Sequence, residues 1–242
     1  MNTNLTLVLL PGLDGTGRLF SRFIDQAPGR LRTQVVSYPG DREIDYAQLE
    51  IDVRAQLPTD GPYAIVGESF SGPVAIALAS RPAGDLRGVI LAASFATPPA
   101  PPIWRYLPLQ SVFRLPVPIM VLRKYLAGSD RQLARDIREV ARSVSPRVLA
   151  SRVRATLSVD VRRELATVEC PLLYIQATRD LVVPPRCLQD ILSVRKDVAV
   201  RQVESRHPVL QLEPAASWDI VMEFLQVGQT VPSSTQSEPH EA

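Results

Sequence analysis

The stretch "YAIVGESFSGPVAIALAS", residues 63–80, decides the reading of this chain. It reads as a strand, a tight turn around Ser69, and a helix. A nucleophile elbow places glycine two positions either side of its serine, so that the turn can press against neighbouring strands. Here Gly67 stands on the near side, the far position is Ser71, and the glycine comes one place late, at Gly72. Ser71 adds only a hydroxymethyl group over glycine, so the turn tolerates it. Pro73 falls in the first helical turn, where a missing N–H costs nothing.

Outward from the elbow, short apolar runs alternate with helical patterns. "LTLVLL" (5–10), "QVVSY" (34–38), "GVILAA" (88–93), "PLLYIQA" (171–177) and "VAVRQV" (198–203) join "YAIVG" (63–67) as strands. "YAQLEIDVRAQL" (46–57) spaces Leu49, Val53 and Leu57 on one helical face; further helices are expected near 184–193 and within 214–226. The strands are continuous apolar runs, as in a parallel sheet covered on both faces. Alternating β and α with right-handed crossovers gives an α/β domain.

Residues 98–168 break the rhythm. They open on the proline-rich "TPPAPPIW" and hold no strand pattern. In "DRQLARDIREVARSVSP", Leu133, Ile137, Val140, Ala141 and Val144 form one apolar stripe, and Pro146 reads as the start of the next helix. The organisation expected is therefore a core of residues 1–97 and 169–227, a helical cap inserted at 98–168, and a tail, 228–242, with the polar composition of disorder.

The bulk numbers exclude several classes. The chain has 242 residues, enough for one large domain, with 45% hydrophobic residues and a formal charge of +2 that names no partner; nucleic acid is not expected. No apolar run approaches the ~20 residues that span a bilayer. The start lacks a basic n-region and a long apolar h-region, so no signal peptide is read and a cytoplasmic location is expected. Cys170 and Cys187 have no metal-like spacing and read as free buried thiols. With only two histidines, no metal and no cofactor are expected.

A nucleophilic serine needs a base, and the base an orienting acid. His240 lies in the tail, which leaves His207, after the last strand in "VESRHPVLQLEP". A lone histidine is more often structural, but this one stands at the carboxyl end of a parallel strand, where chemistry gathers in open α/β sheets. Asp180, in "QATRDLVVPP", follows the preceding strand. Asp190 lies inside a helix, Asp197 starts a strand, and no carboxylate follows the strand ending at Ala93. The remaining part is an oxyanion hole. "LLPGLDGTGRLF" follows the first strand with three glycines, Gly12, Gly15 and Gly17, in a spacing that is neither a Walker motif nor a dinucleotide fingerprint, and Asp14 would repel phosphate. The donors expected are the amides of Leu13 and of Phe70, the residue after the nucleophile.

Residues 5–226 resemble an α/β-hydrolase of the small, lid-bearing serine esterase type. "LLPGLDGTG" is similar to that family's oxyanion segment, "GESFSG" to its elbow, "ATRDLVVP" to its acid loop and "RHPVLQLEP" to its histidine loop. Ser71 departs from the pattern, as does Arg206, which stands where glycine commonly precedes the histidine. The resemblance implies that the chain opens at the family's third strand, and hence six mostly parallel strands in the order 2-1-3-4-5-6. It implies a hydrolase cleaving a carboxylic ester or thioester through an acyl-enzyme on Ser69, with His207 as base and Asp180 as orienting acid. An acyltransferase with the same triad and a catalytically silent ligand-binding relative are the alternatives. The substrate expected is a small apolar acyl ester. Residues 98–168 carry thirteen arginine and lysine residues against five acids, with Arg135, Arg138 and Arg142 on the helix face opposite the apolar stripe. With a resemblance to pimeloyl-carrier-protein methyl ester esterases, this makes an acidic acyl carrier a candidate partner at the cap; a merely solvated helix face is the other reading.

Overall fold

The computed structural model describes residues 5–227 except Arg30 and Pro116, so the expected disordered tail, 228–242, lies outside the described residues. Six strands form one sheet: β1 (Thr6–Leu10), β2 (Arg32–Val35), β3 (Pro62–Glu68), β4 (Asp85–Ala92), β5 (Leu172–Ala177) and β6 (Ala199–Val203). Their order is β2-β1-β3-β4-β5-β6 and every pair is parallel. The order reverses between β1 and β3. That switch point places the loop after β1 and the loop after β3 side by side, where ligands bind in open α/β sheets.

Both sheet faces are buried, which is why the strands read as continuous apolar runs. Val8, Leu10, Ile65, Val89, Leu91 and Tyr174 point into one core layer; Leu7, Leu9, Val66, Ile90, Leu173 and Ile175 point into the other. The first layer is closed by α2 (Tyr46–Arg54), α3 (Gly72–Ser80), α8 (Arg162–Thr167) and α9 (Arg186–Val194). The second is closed by α1 (Ser21–Ile24), α10 (Val209–Leu212) and α11 (Pro214–Val227), with Trp218 stacked on Phe23. Between β4 and β5 the described residues contain only helical elements: α4 (Leu109–Arg114), α5 (Ile119–Leu122), α6 (Arg131–Arg142), α7 (Pro146–Thr156) and α8. No helix among the described residues is long and apolar enough to cross a membrane.

Two sequence expectations shift, and two short helices are added. β2 lies two residues earlier than 34–38, because Tyr38 leaves the sheet direction to donate its amide to Gly15 O at 2.7 Å in the loop after β1. α2 stops at Arg54 rather than 57; the residues before Pro58 unwind into tighter turns, as a following proline favours. The short helices α1 and α10 have too few residues to show a period.

α6 carries the expected stripe: Leu133, Val140 and Val144 are buried. Pro146 is in the first turn of α7, after Ser145. The arginines opposite the stripe do not all face out. Arg135 and Arg142 are exposed, whereas Arg138 is half-buried and donates to Val117 O at 3.1 Å. Arg22 pairs with Asp130 and Asp136, and Arg18 with Glu139, so α6 is tied to the segment after β1.

Candidate active site

β3 delivers its chain to Ser69 with φ +49°, a left-handed conformation that side-chain-bearing residues adopt rarely and at a cost of order 1–3 kcal/mol. Four contacts hold it there. Ser94 Oγ, just past β4, donates to Ser69 O at 2.6 Å. Tyr46 Oη donates to Phe70 O at 2.9 Å, and its ring stacks on Phe70. Tyr38 Oη bonds to Ser71 Oγ at 2.5 Å, and Ser71 Oγ in turn donates to Pro11 O. Ser71 is therefore more than tolerated: its hydroxyl ties the elbow to the loop after β1, a bond glycine cannot make. The glycines stand where Cβ atoms do not fit. A Cβ on Gly67 would lie 2.8 Å from Ala75 Cβ and 2.9 Å from Ser71 O, and one on Gly72 would run into Ser94.

The loop after β1 brings Leu13 towards the elbow. Among the described residues, no hydrogen-bond acceptor takes the amide of Leu13 or of Phe70, the two donors the sequence suggests. Glycine is required at Gly15 and Gly17, both with positive φ, rather than at Gly12, where a Cβ has open space. The neighbour that confines Gly15 is Arg152, from α7. This guanidinium is buried and donates to Leu13 O (2.9 Å), Asp14 O (2.5 Å) and Pro39 O (2.9 Å), with Tyr38 beneath it. Burial lowers its pKa, partly offset by Asp14.

The loops after β5 and β6 supply the other groups. Asp180 Oδ1 accepts from the amides of Val182 (2.7 Å) and Val183 (2.9 Å), which leaves Oδ2 to accept from His207 Nδ1 at 2.7 Å. His207 Nε2 stands 2.7 Å from Ser69 Oγ. With the proton on Nδ1, Nε2 is free to accept the hydroxyl proton. Residues 69, 180 and 207 thus meet in one hydrogen-bonded chain, as their places at three strand ends led us to expect. Arg206 does not reach into it: its guanidinium bonds to Lys124 O. Cys170 and Cys187 are free thiols, the first half-buried and the second buried, and burial pushes both up to about 11, away from nucleophilic use near neutrality. Among the described residues there is no group of three or more His, Cys, Asp or Glu side chains placed to hold a metal.

Next to Ser69 in the chain stands an ionisable group the sequence did not flag. Glu68 is buried, and desolvation pushes it up to about 7, against a bond from Gln211 Nε2 at 3.1 Å and the field of His207. Gln211 Oε1 is buried without a partner among the described residues, so a protonated Glu68 has an acceptor close by. Ser94, Tyr46, Tyr38 and Arg152 were also missed. Only Arg152 left a trace: it sits in the 148–152–156 spacing of the buried face of α7, where a core-facing arginine is an anomaly.

Sheet order, elbow and strand-end chemistry together define a class: the chain belongs to the alpha/beta hydrolase family, whose sequence profile matches residues 7–219. More particularly, it is similar to the pimeloyl-[acyl-carrier protein] methyl ester esterase of Neisseria meningitidis serogroup B (strain MC58), at 25% identity over 197 residues, covering 74% of this chain and 76% of that protein. Among solved structures it resembles the enol-lactonase from Burkholderia xenovorans LB400, with a TM-score of 0.75 and 19% identity over 91% of each chain. It also resembles MenH from S. aureus, with a TM-score of 0.77 and 16% identity over 95% of this chain and 96% of that one. At those identities the two structures speak for the fold.

Proposed function

We propose that the protein is a serine hydrolase that cleaves an apolar acyl ester or thioester. The observation that carries this reading is the chain Asp180–His207–Ser69, with both bonds at 2.7 Å, ending on a serine held at positive φ. Ser69 Oγ attacks the acyl carbonyl as His207 Nε2 takes its proton. Asp180 fixes the Nδ1–H tautomer and stabilises the imidazolium. The amides of Leu13 and Phe70 receive the oxyanion of the tetrahedral intermediate. His207 then protonates the leaving alcohol or thiol, and a water activated by the same nitrogen releases the acid. Within residues 98–168, the helices α4 to α7 act as the cap, and the exposed Leu181 and Val182 beside Asp180 suit an apolar acyl chain.

A second reading is favoured by one feature. Arg135 and Arg142 are exposed on α6, and the curated relative acts on a carrier-bound ester; an acidic carrier presenting the acyl group fits both. On that reading kcat/KM for a carrier-bound ester falls steeply with ionic strength while that for a small neutral ester does not.

The discriminating experiment is a panel of p-nitrophenyl esters of graded chain length, with and without alcohol acceptors. Hydrolysis with a preference for apolar chains is expected. Acyl transfer outpacing hydrolysis would make the protein a transferase, and no turnover of any member would favour a silent ligand-binding protein.

A further inference from the structure

The segment from Ile103 to Tyr125 does not look like a surface meant for water. Tyr106, Met120, Ile103 and Leu115 are 74%, 77%, 69% and 68% exposed, and Trp104 and Tyr125 are exposed as well. Scattered apolar residues are ordinary on a protein surface; here they are concentrated within 23 consecutive residues. The charge in the segment has one sign. No aspartate or glutamate occurs anywhere between Asp85 and Asp130, while Arg105, Arg114, Arg123 and Lys124 lie within it. Arg105, Arg114 and Lys124 are exposed, and none takes part in an ion pair among the described residues. Arg105 and Lys124 rest over the rings of Tyr106 and Tyr125, which leaves aromatic rings and cations side by side.

We propose that residues 103–125 form a peripheral docking surface for an anionic phospholipid membrane. Four features fit that partner. Tryptophan and tyrosine favour the headgroup level, where one end of the ring is wet and the other apolar. Arg105 and Lys124 lie against aromatic rings, and long cationic side chains so placed can reach anionic headgroups. The most exposed apolar groups come from separate short segments, Ile103 and Tyr106 before α4, Leu115 after it and Met120 in α5, and a fluid acyl layer accommodates such a set where a folded partner would need a matching pocket. The helices here are short, α4 and α5 having six and four residues, so the contact is with the interface and not a span. An acidic protein would satisfy the cations but leave the protruding apolar side chains wet.

Trp104 provides the test. The chain has two tryptophans, and Trp218 is buried against Phe23, so a change in the polarity around tryptophan reports residue 104. The full-length protein is mixed at low salt with vesicles of equal parts phosphatidylglycerol and phosphatidylcholine, and separately with vesicles of phosphatidylcholine alone. With the anionic vesicles, co-sedimentation and a blue-shifted emission are expected, and with phosphatidylcholine alone binding weaker by about tenfold or more. Arg105→Glu with Arg114→Glu should lower binding to anionic vesicles by on the order of tenfold or more. Met120→Ser with Leu115→Ser should weaken it at every salt concentration. Unchanged melting temperatures show that the variants remain folded. Three results would overturn the proposal: no sedimentation with either vesicle; equal binding to both; or no vesicle binding while a purified acidic acyl carrier protein, or a second copy of this chain seen by light scattering, protects Trp104 instead.

Discussion

Ser71 shows how much one hydroxyl can do. It stands where the elbow pattern asks for glycine, and it accepts from Tyr38 and donates to Pro11 O. Ser71→Ala should strand both buried partners at a cost of about 1–3 kcal/mol, measured by thermal or urea unfolding. Esterase activity should fall with it, because Pro11 leads directly into the oxyanion loop. An unchanged midpoint would mean that water replaces the hydroxyl without loss. Asp180 makes a sharper case. Its Oδ1 is held by two amides and its Oδ2 faces His207. Asp180→Asn keeps the shape but offers His207 an amide that can favour the wrong tautomer. In the serine-protease triad that change costs about 10⁴ in turnover, and a comparable fall in kcat with an unaltered melting temperature is expected here. A loss below about tenfold would assign the role to another acid. Both residues were legible in the chain, Asp180 by its strand-end position and Ser71 by its offset from the glycine pattern. What Ser71 bonds to was not, because Tyr38 and Pro11 reach it from two other loops.

Strands and helices were read more securely than their ends. The runs at 63–67 and 171–177 appear as strands because both faces of the sheet are covered, and burial on both sides leaves a continuous apolar signature. β2 begins two residues before the apolar run at 34–38 because it is an edge strand with an exposed Arg32 and half-buried Thr33 and Gln34, which leaves little hydrophobic pattern to fix its register. The helices of 98–168 were expected, but the contact that makes α7 matter was not: Arg152 crosses from α7 to three backbone carbonyls of the loops after β1 and β2. With the Leu13 carbonyl fixed, the peptide units on either side of Leu13 have little freedom, and on the proposed mechanism α7 acts as a strut for one oxyanion donor. Arg152→Met should therefore lower kcat by on the order of 10², the scale of one lost oxyanion donor, with a small change in KM. It should also reduce stability, since it removes three hydrogen bonds from half-buried carbonyls. If kcat falls only in proportion to the unfolded fraction, Arg152 is structural alone.

Folding and the proposed chemistry meet at Glu68, buried beside Ser69 and raised from the ordinary carboxylate range to about 7. In the unfolded chain the group ionises near 4.5. Between these values the folded state holds a proton that the unfolded state has lost, so stability declines as pH rises through this window, and the full penalty, on the order of 3 kcal/mol, is present above about 7. Glu68→Gln removes the charge, and its amide can donate to the unpartnered Gln211 Oε1. The variant should melt higher than wild type at pH 8, with the gap closing towards pH 5; a gap independent of pH would place the ionisation elsewhere. Ser69 carries the proposed chemistry. A fluorophosphonate probe, followed by intact mass and peptide mapping, tests it most directly. One adduct per chain, on Ser69, absent from Ser69→Ala and strongly slowed in Asp180→Asn, is the expected result. An adduct on Ser71, or a folded wild-type protein that takes no label, would contradict it.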